Sequence, residues 1–185
     1  MGKLIYAMNV SLDGFVETPN HSLEWANVDE ELHLWFNEQA RAVDASIYGR
    51  RMYELMAGYW PTAADDPAAE PAMVEFAGIW RGTPKVVFSS KLKSVDWNSR
   101  LVRGEPAQEL AALRQEFSGD LDVSGATLAA SFIRAGLVDE FRLVVHPAVL
   151  GQGTPFWPAG VELKLRLLET RRFESGAVYL RYERT

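Results

Sequence analysis

The sequence predicts an α/β fold: a central, mostly parallel sheet of eight strands, helices flanking it, and an antiparallel hairpin at the C-terminal end. Three observations predict it. Short β-like apolar runs alternate with segments at helical spacing through the first three quarters of the chain, the pattern of strand–helix–strand units. Glycine stands directly between a strand-like and a helix-like segment at Gly49 and again at Gly125. The last two extended runs are separated only by a turn at Ser175-Gly176. The 185 residues, 48% of them hydrophobic, with six Trp, six Tyr and nine Phe, suffice for the core of one domain spanning 1–185.

The elements follow in order. Residues 3–10 form an apolar strand, and residues 11–27 read as loop, with Asp13-Gly14 and Pro19-Asn20 as turn signals. Asp29 can cap a helix in which Leu32, Trp35, Phe36, Ala40 and Val43 share one face. Residues 44–48 are a short strand ended by Gly49, and 50–56 a short helix. Residues 57–72, with Pro61, Pro67 and Pro71, are the most loop-like stretch; a helix with Met73, Phe76, Ile79 and Trp80 on one side follows. Strands are predicted at 85–90, 120–124 and 140–146, with a further extended piece within 95–102. Pro106 suits the first turn of a helix carrying Leu110, Leu113 and Phe117, and a second helix runs 126–135 to Gly136. Residues 163–173 and 178–183 make the closing hairpin, whose apolar edge predicts a homodimer.

Composition excludes several function classes. Nineteen basic and twenty-five acidic residues leave a net charge of −6, which argues against a nucleic-acid partner. No run reaches the roughly 18 apolar residues of a membrane span, and the short N-terminal apolar run, broken by Asn9, is a poor signal peptide. There is no cysteine, so thiolate chemistry and disulfides are out; this fits a reducing compartment, and the chain is read as cytoplasmic. The three histidines lack metal-ligand spacing, so no metal site is expected.

Four segments carry candidate chemistry. At Gly49-Arg50-Arg51 a strand meets a helix whose first free N–H groups favour an anion, with arginine available for a phosphate; the alternative is a helix start with surface arginines. Gly125-Ala126-Thr127 repeats the strand–glycine–helix arrangement, and two such turns in one parallel sheet fit a nucleotide lying across the carboxyl ends of the strands. Ser89, Ser90 and Lys91 end a third strand at that same side and could hold a ribose phosphate, or be a polar strand end. Asp13 is a ligand-binding carboxylate or the start of an Asx-turn before Gly14. Trp25 reads as core or as stacking surface, and Trp60 and Trp80, flanking the Pro-rich loop, could wall a pocket. His146, before Pro147, reads as a hydrogen-bonded core histidine.

Taken together, Ser11-Leu-Asp-Gly14, Tyr48-Gly-Arg-Arg-Met-Tyr-Glu54, Lys85-Val-Val-Phe-Ser-Ser90, Val123-Ser-Gly-Ala-Thr127 and, above all, Gly136-Leu-Val-Asp-Glu-Phe-Arg-Leu-Val-Val-His-Pro-Ala-Val-Leu-Gly-Gln-Gly153 resemble the dihydrofolate reductase superfamily. They are most similar to its riboflavin-biosynthesis branch, the RibD C-terminal reductase domain. The resemblance covers nearly the whole chain, in the family's order. It implies a dihydrofolate-reductase-like three-layer fold and an NADPH-dependent reductase acting on a small-molecule substrate of heterocyclic or ribosyl-pyrimidine type, such as 5-amino-6-(5-phosphoribosylamino)uracil. It places the phosphates of NADP(H) at Gly49-Arg50 and at Gly125, Ala126 and Thr127, the adenosine end near Ser89 and Ser90, and the substrate near Asp13 and the first long helix. Asp13 is the expected acid, catalytic or substrate-orienting, with Trp25 and Trp60 as substrate-binding residues. Two alternatives stand beside this: dihydrofolate reduction, and a nucleotide-binding protein without turnover. A folate enzyme carries its acid at the start of the first helix after a Leu-Pro-Trp-like turn. Here that place reads Leu23-Glu24-Trp25, and Asp29 and Glu30 are shifted in register. The zinc-bearing deaminase domain that often precedes the riboflavin reductase has no counterpart in these residues.

Overall fold

A computed structural model describes residues 2–185. Its elements in chain order are β1 (Leu4–Ser11), β2 (Phe15–Glu17), α1 (Glu30–Arg41), β3 (Ala45–Gly49), α2 (Arg50–Ala57), a 3₁₀ turn (Ala63–Asp65), α3 (Pro71–Gly82), β4 (Lys85–Phe88), β5 (Ser99–Val102), α4 (Pro106–Glu116), β6 (Leu121–Ser124), α5 (Ala126–Arg134), β7 (Glu140–His146), β8 (Thr154–Pro155), β9 (Leu165–Arg172) and β10 (Val178–Arg184). Eight strands form the central sheet in the order β5-β4-β3-β6-β1-β7-β10-β9. The first six in that order run parallel, and β10 pairs antiparallel with both β7 and β9. This is the α/β sheet with flanking helices and terminal hairpin that the alternation predicts.

Part of the predicted loop 11–27 pairs instead, with residues to which no element was assigned. β2 and β8 make a small antiparallel ladder beside the main sheet. Gly153 permits it: a Cβ there would lie 2.1 Å from the carbonyl oxygen of Glu17, so only glycine lets the two backbones pass. The ladder is anchored by Phe156, which is buried and stacked on Tyr6 at 4.3 Å between ring centroids. The predicted extended piece within 95–102 shortens to β5 because Trp97 and Asn98 both take positive φ, 60° and 54°, which breaks the strand before Ser99.

Strand alternation sends each parallel strand's side chains to two different environments. One face carries Leu4, Tyr6, Ala45, Ile47, Leu121, Val123, Phe141 and Leu143, packed against Leu110 and Leu113 of α4 and Ala129, Phe132 and Ile133 of α5. Burying a side chain such as Phe132 contributes about 1.5–3 kcal/mol. The other face carries two separate aromatic clusters. Leu32 and Trp35 of α1 pack with Val144, Phe173 and Tyr179 over β7 and β10. Tyr53 of α2 and Trp80 of α3 pack with Tyr48 and Val87 over β3 and β4. Between the two clusters lie β6 and β1, at the middle of the sheet, and there a cavity opens.

Candidate active site

The cavity has a volume of about 450 Å³. Its floor is the open face of the sheet: Ile5, Ala7 and Asn9 of β1, Ser46 and Tyr48 of β3, Asp122 and Ser124 of β6, and Arg142 and Val144 of β7. Its walls are apolar and aromatic, formed by Phe36 and Ala40 of α1, Met52, Leu55 and Met56 of α2, Trp60, Phe76 of α3, and Leu23 and Trp25 from the segment before α1. Few convergent polar groups in an apolar hollow is the usual makeup of a small-molecule site.

Asp122 is the acid of this floor. Ser46 Oγ donates to its Oδ1 at 2.6 Å and Ser124 Oγ to its Oδ2 at 3.2 Å. Burial outweighs both hydroxyls and pushes the carboxyl up to about 6. Tyr48, at the end of the neighbouring β3, is also buried, and burial together with the Asp122 carboxylate raises its phenol, which stays neutral. Arg142 reaches the floor from β7, donating to Glu140 at 2.7 Å and to Gln39 of α1 at 2.8 Å. Asn9 Oδ1 lies 2.8 Å from Nε2 of His146, whose burial lowers the basicity of its ring; this is the core histidine the sequence suggested.

The strand ends deliver the predicted cofactor residues to one edge of the sheet. β4, β3 and β6 are neighbours and parallel, so Ser89, Gly49 and Gly125 follow one another along their carboxyl ends. The first turns of α2 and α5 start side by side there, and neither has a side-chain cap. By contrast α1 is capped by Asp29, whose carboxylate accepts from the Leu32 amide at 2.9 Å, while α3 and α4, also without a side-chain cap, begin with Pro71 and Pro106, which have no N–H to offer. Gly125 adopts φ +102°, and its amide finds only the thioether of Met8 at 3.4 Å, a weak acceptor. These donors fit a pyrophosphate. Arg50 lies half-buried and 3.4 Å from Glu54, while Arg51 pairs with Glu17 at 2.7 Å. Ala126 is half-buried, and Thr127 is exposed. Ser89 Oγ accepts from the amides of Lys91 and Leu92 in a local turn, and Ser90 is exposed.

Of the expected substrate residues, Trp25 and Trp60 line the cavity, and Trp80 lies in the core beside it. Asp13 does not border the cavity. Its carboxylate is at the surface and accepts from Ser11 Oγ at 2.7 Å, Leu150 N at 3.1 Å and Gly151 N at 2.7 Å, a set led by the Ser11 hydroxyl that holds it below the usual carboxylate range. The acids that open α1 do not line the cavity either: Asp29 is the cap, Glu30 is exposed, and Glu31 is engaged by Arg171 and the Glu174 amide. The acid of the site therefore comes from β6, which the sequence reading passed over. The available signal was polar alternation, Asp122 and Ser124, in a strand placed mid-sheet, where parallel strands are otherwise continuously apolar. Among the described residues no group of three or more His, Asp or Glu could hold a metal, and no helix is long and apolar enough to cross a membrane.

Comparison with known proteins agrees with this architecture. The family model of the RibD C-terminal domain matches residues 2–179. The chain is 32% identical over 182 residues to the uncharacterized protein YyaP of Bacillus subtilis (strain 168), covering 97% of this chain and 94% of that protein. Among solved structures, a protein of Shewanella sp. PV-4 provisionally described as a riboflavin biosynthesis protein superposes with a TM-score of 0.76 at 20% identity, covering 99% of both chains. The diaminohydroxyphosphoribosylaminopyrimidine deaminase/5-amino-6-(5-phosphoribosylamino)uracil reductase of Thermotoga maritima superposes with a TM-score of 0.66 at 11% identity, covering all of this chain and 57% of that longer one. At these identities the structural likeness is one of fold. The extent of the family match and the identity to the Bacillus relative carry the conclusion: the chain belongs to the RibD C-terminal domain family.

Proposed function

We propose that this protein is an NADPH-dependent reductase that transfers hydride to a small heterocyclic or ribosyl-pyrimidine-type substrate held in the cavity. The observation that carries the reading is the junction of two features: the uncapped starts of α2 and α5 at the strand ends, and the cavity over β6 and β1 with Asp122 on its floor. Gly49 and Gly125 would hold the pyrophosphate through backbone amides, with Arg50 or Arg51 in support and Ser89 and Ser90 toward the adenosine end. NADPH, when bound, supplies the hydride.

The chain's own residues do the rest. The aromatic walls bury the substrate's rings and exclude water. Asp122 in its protonated form donates to the heteroatom of the C=N or C=O whose carbon is reduced, and regains its proton from solvent. Ser46 and Ser124 hold the carboxyl in place. Asp13 positions the backbone of residues 150–151 at the rim of the same sheet edge. The acids that open α1 do not line the cavity, which favours this reading over the folate alternative.

Calorimetric titration with NADPH and NADH, followed by NADPH-oxidation assays with candidate heterocycles, tests the reading. Tight, phosphate-dependent binding of NADPH is expected. Absence of nucleotide binding would overturn it, and binding without turnover on any candidate would favour the nucleotide-binding alternative.

A further inference from the structure

His33 of α1 lines the cavity and has no part in the chemistry described so far. Its ring is half-buried and sits between two aromatic neighbours, Trp60 at 5.9 Å and Phe76 at 6.0 Å between centroids, at interplanar angles of 70° and 86°. Nδ1 is sealed from solvent and has no hydrogen-bond partner. The polar groups on this side of α1 do not supply one. Glu75 of α3 is taken up by Asn37 Nδ2 at 2.6 Å and by Arg41. Asn37 lies one turn further along α1, and its Oδ1 is itself sealed and unpartnered, so it does not meet Nδ1.

A neutral imidazole has one donor nitrogen and one acceptor nitrogen, and the bonds around the ring decide which is which. A hydrogen on Nδ1 would be a buried donor with nothing to receive it, which folded proteins avoid more strictly than an acceptor left short. The hydrogen therefore belongs on Nε2. Of the two ring nitrogens only Nδ1 is sealed without a partner, which leaves Nε2 as the one His33 can offer to the cavity. The two charged groups of the lining are already engaged, Arg142 by Glu140 and Gln39, Asp122 by Ser46 and Ser124.

We propose that His33 is a second substrate contact: from the α1 wall its Nε2–H donates to an oxygen or ring nitrogen of the ligand, while protonated Asp122 donates from the floor to the heteroatom beside the carbon that is reduced. This rests on the reductase reading above, which makes the cavity the substrate's place. One donor on the floor and one on the wall call for a ring with at least two acceptor atoms, an oxo-heterocycle, and holding both fixes its orientation.

Nitrogen NMR of the imidazole rings at alkaline pH, with His33→Gln to assign the signal, reads the tautomer of the parent without any ligand. Hydrogen on Nε2 is expected; hydrogen on Nδ1 would overturn the proposal, and this result decides even where a variant fails to fold. Lumazine, a fluorescent pteridinedione with carbonyl and ring-nitrogen acceptors, is the binding probe. His33→Leu removes the donor and should weaken lumazine about 3–10-fold, whereas His33→Gln, whose amide can still donate, should stay within about twofold of the parent. Unchanged affinity in His33→Leu, an equal loss in His33→Gln, or no lumazine binding by the parent would overturn the proposal. A chain that fails to bind NADPH yet gives the expected tautomer and lumazine affinities loses the reductase reading and keeps this contact. One that binds and oxidises NADPH but holds lumazine equally well in His33→Leu does the reverse.

Discussion

Ser46 and Asp122 sit opposite each other on paired parallel strands, and the Ser46 hydroxyl donates to the Asp122 carboxylate across 2.6 Å at the floor of the cavity. The same register puts Ile5 on the other side of Asp122. The acid is thus fixed by three adjacent strands rather than by a loop, the kind of rigid support that precise proton transfer needs.

Replacing Asp122 by Asn should lower turnover by about 10²–10⁴-fold, while NADPH affinity stays within a few-fold of the parent. Because burial raises this carboxyl to about 6, the wild-type rate should fall as pH rises through that value, where an ordinary carboxylate would titrate near 3.8. The linkage has the same sign for folding. The native state holds the proton more tightly than the unfolded chain, so this contribution is complete below pH 3.8 and is lost as pH rises through about 6. Urea titrations across that interval should show the loss in the parent and not in the Asn variant.

Glu140 behaves in the opposite sense. Its carboxylate is fully buried and meets Lys3 at 2.9 Å, Arg142 at 2.7 Å and Arg181 at 2.8 Å. Burial opposes ionisation, but these three cations prevail and hold the group down at about 2. The stability it contributes is present above pH 4.5 and disappears as pH falls toward about 2. Glu140→Gln leaves three cations around a neutral amide and should cost about 3–5 kcal/mol at neutral pH. Chemical denaturation of the two proteins at neutral and acid pH reads both effects; curves that converge at low pH are the expected result.

For the cofactor edge, Gly125→Ala is the sharpest probe. At φ +102° an alanine is strained, and its Cβ would touch the Met52 Cβ at 3.4 Å. A modest stability loss of about 1–2 kcal/mol should accompany a larger loss of NADPH affinity. Arg50→Ala should weaken NADPH by about 1–3 kcal/mol and NADH by less if its guanidinium meets the 2′-phosphate. Calorimetry on both nucleotides at one salt concentration separates these; equal losses for the two would remove Arg50 from 2′-phosphate recognition.

Asp13→Asn distinguishes an anchoring acid from a catalytic one. The substitution keeps one side-chain acceptor for residues 150–151 and removes the charge, so turnover within about threefold of the parent is expected, alongside the collapse in Asp122→Asn. A fall of about 10² or more would return the acid's role to Asp13.

One outer edge of the sheet is β9, exposed along nearly its whole length, with Leu167 and Leu168 on its surface. Bare edge strands are usually covered, and a homodimer joined along β9 is expected. Light scattering should give twice the chain mass, and Leu168→Glu should shift it toward one. A monomer at high concentration would reject the arrangement.

Much of this architecture was legible because local rules and tertiary packing agree. Asp29 caps α1 as its spacing predicts, and Gly49 and Gly125 mark real strand-to-helix turns at one edge. Trp25 and Trp60 could be placed only as possibilities, since an aromatic residue on a helix face or in a loop reads the same whether it packs inward or walls a cavity. Asp122 was not legible because Leu121-Asp122-Val123-Ser124 looks like a strand with one wet face. Whether that face meets solvent or a cavity is decided by α1 and α2, which come from elsewhere in the chain and leave β6 uncovered. The β2–β8 ladder was hidden for a related reason: it joins segments some 137 residues apart, and neither is long enough to announce itself.

That separation shapes how the molecule is made. Of the sheet's strands β1 leaves the ribosome before any other, yet it occupies the middle of the sheet, and its two neighbours, β6 and β7, begin only at residues 121 and 140. At about 5–20 residues per second, β1 waits several seconds with both edges bare, while β3, β4 and β5 can already pair with one another. Its apolar run Leu4–Tyr6 spends that interval without its native neighbours, and the cavity floor comes into being only when that first strand is finally enclosed.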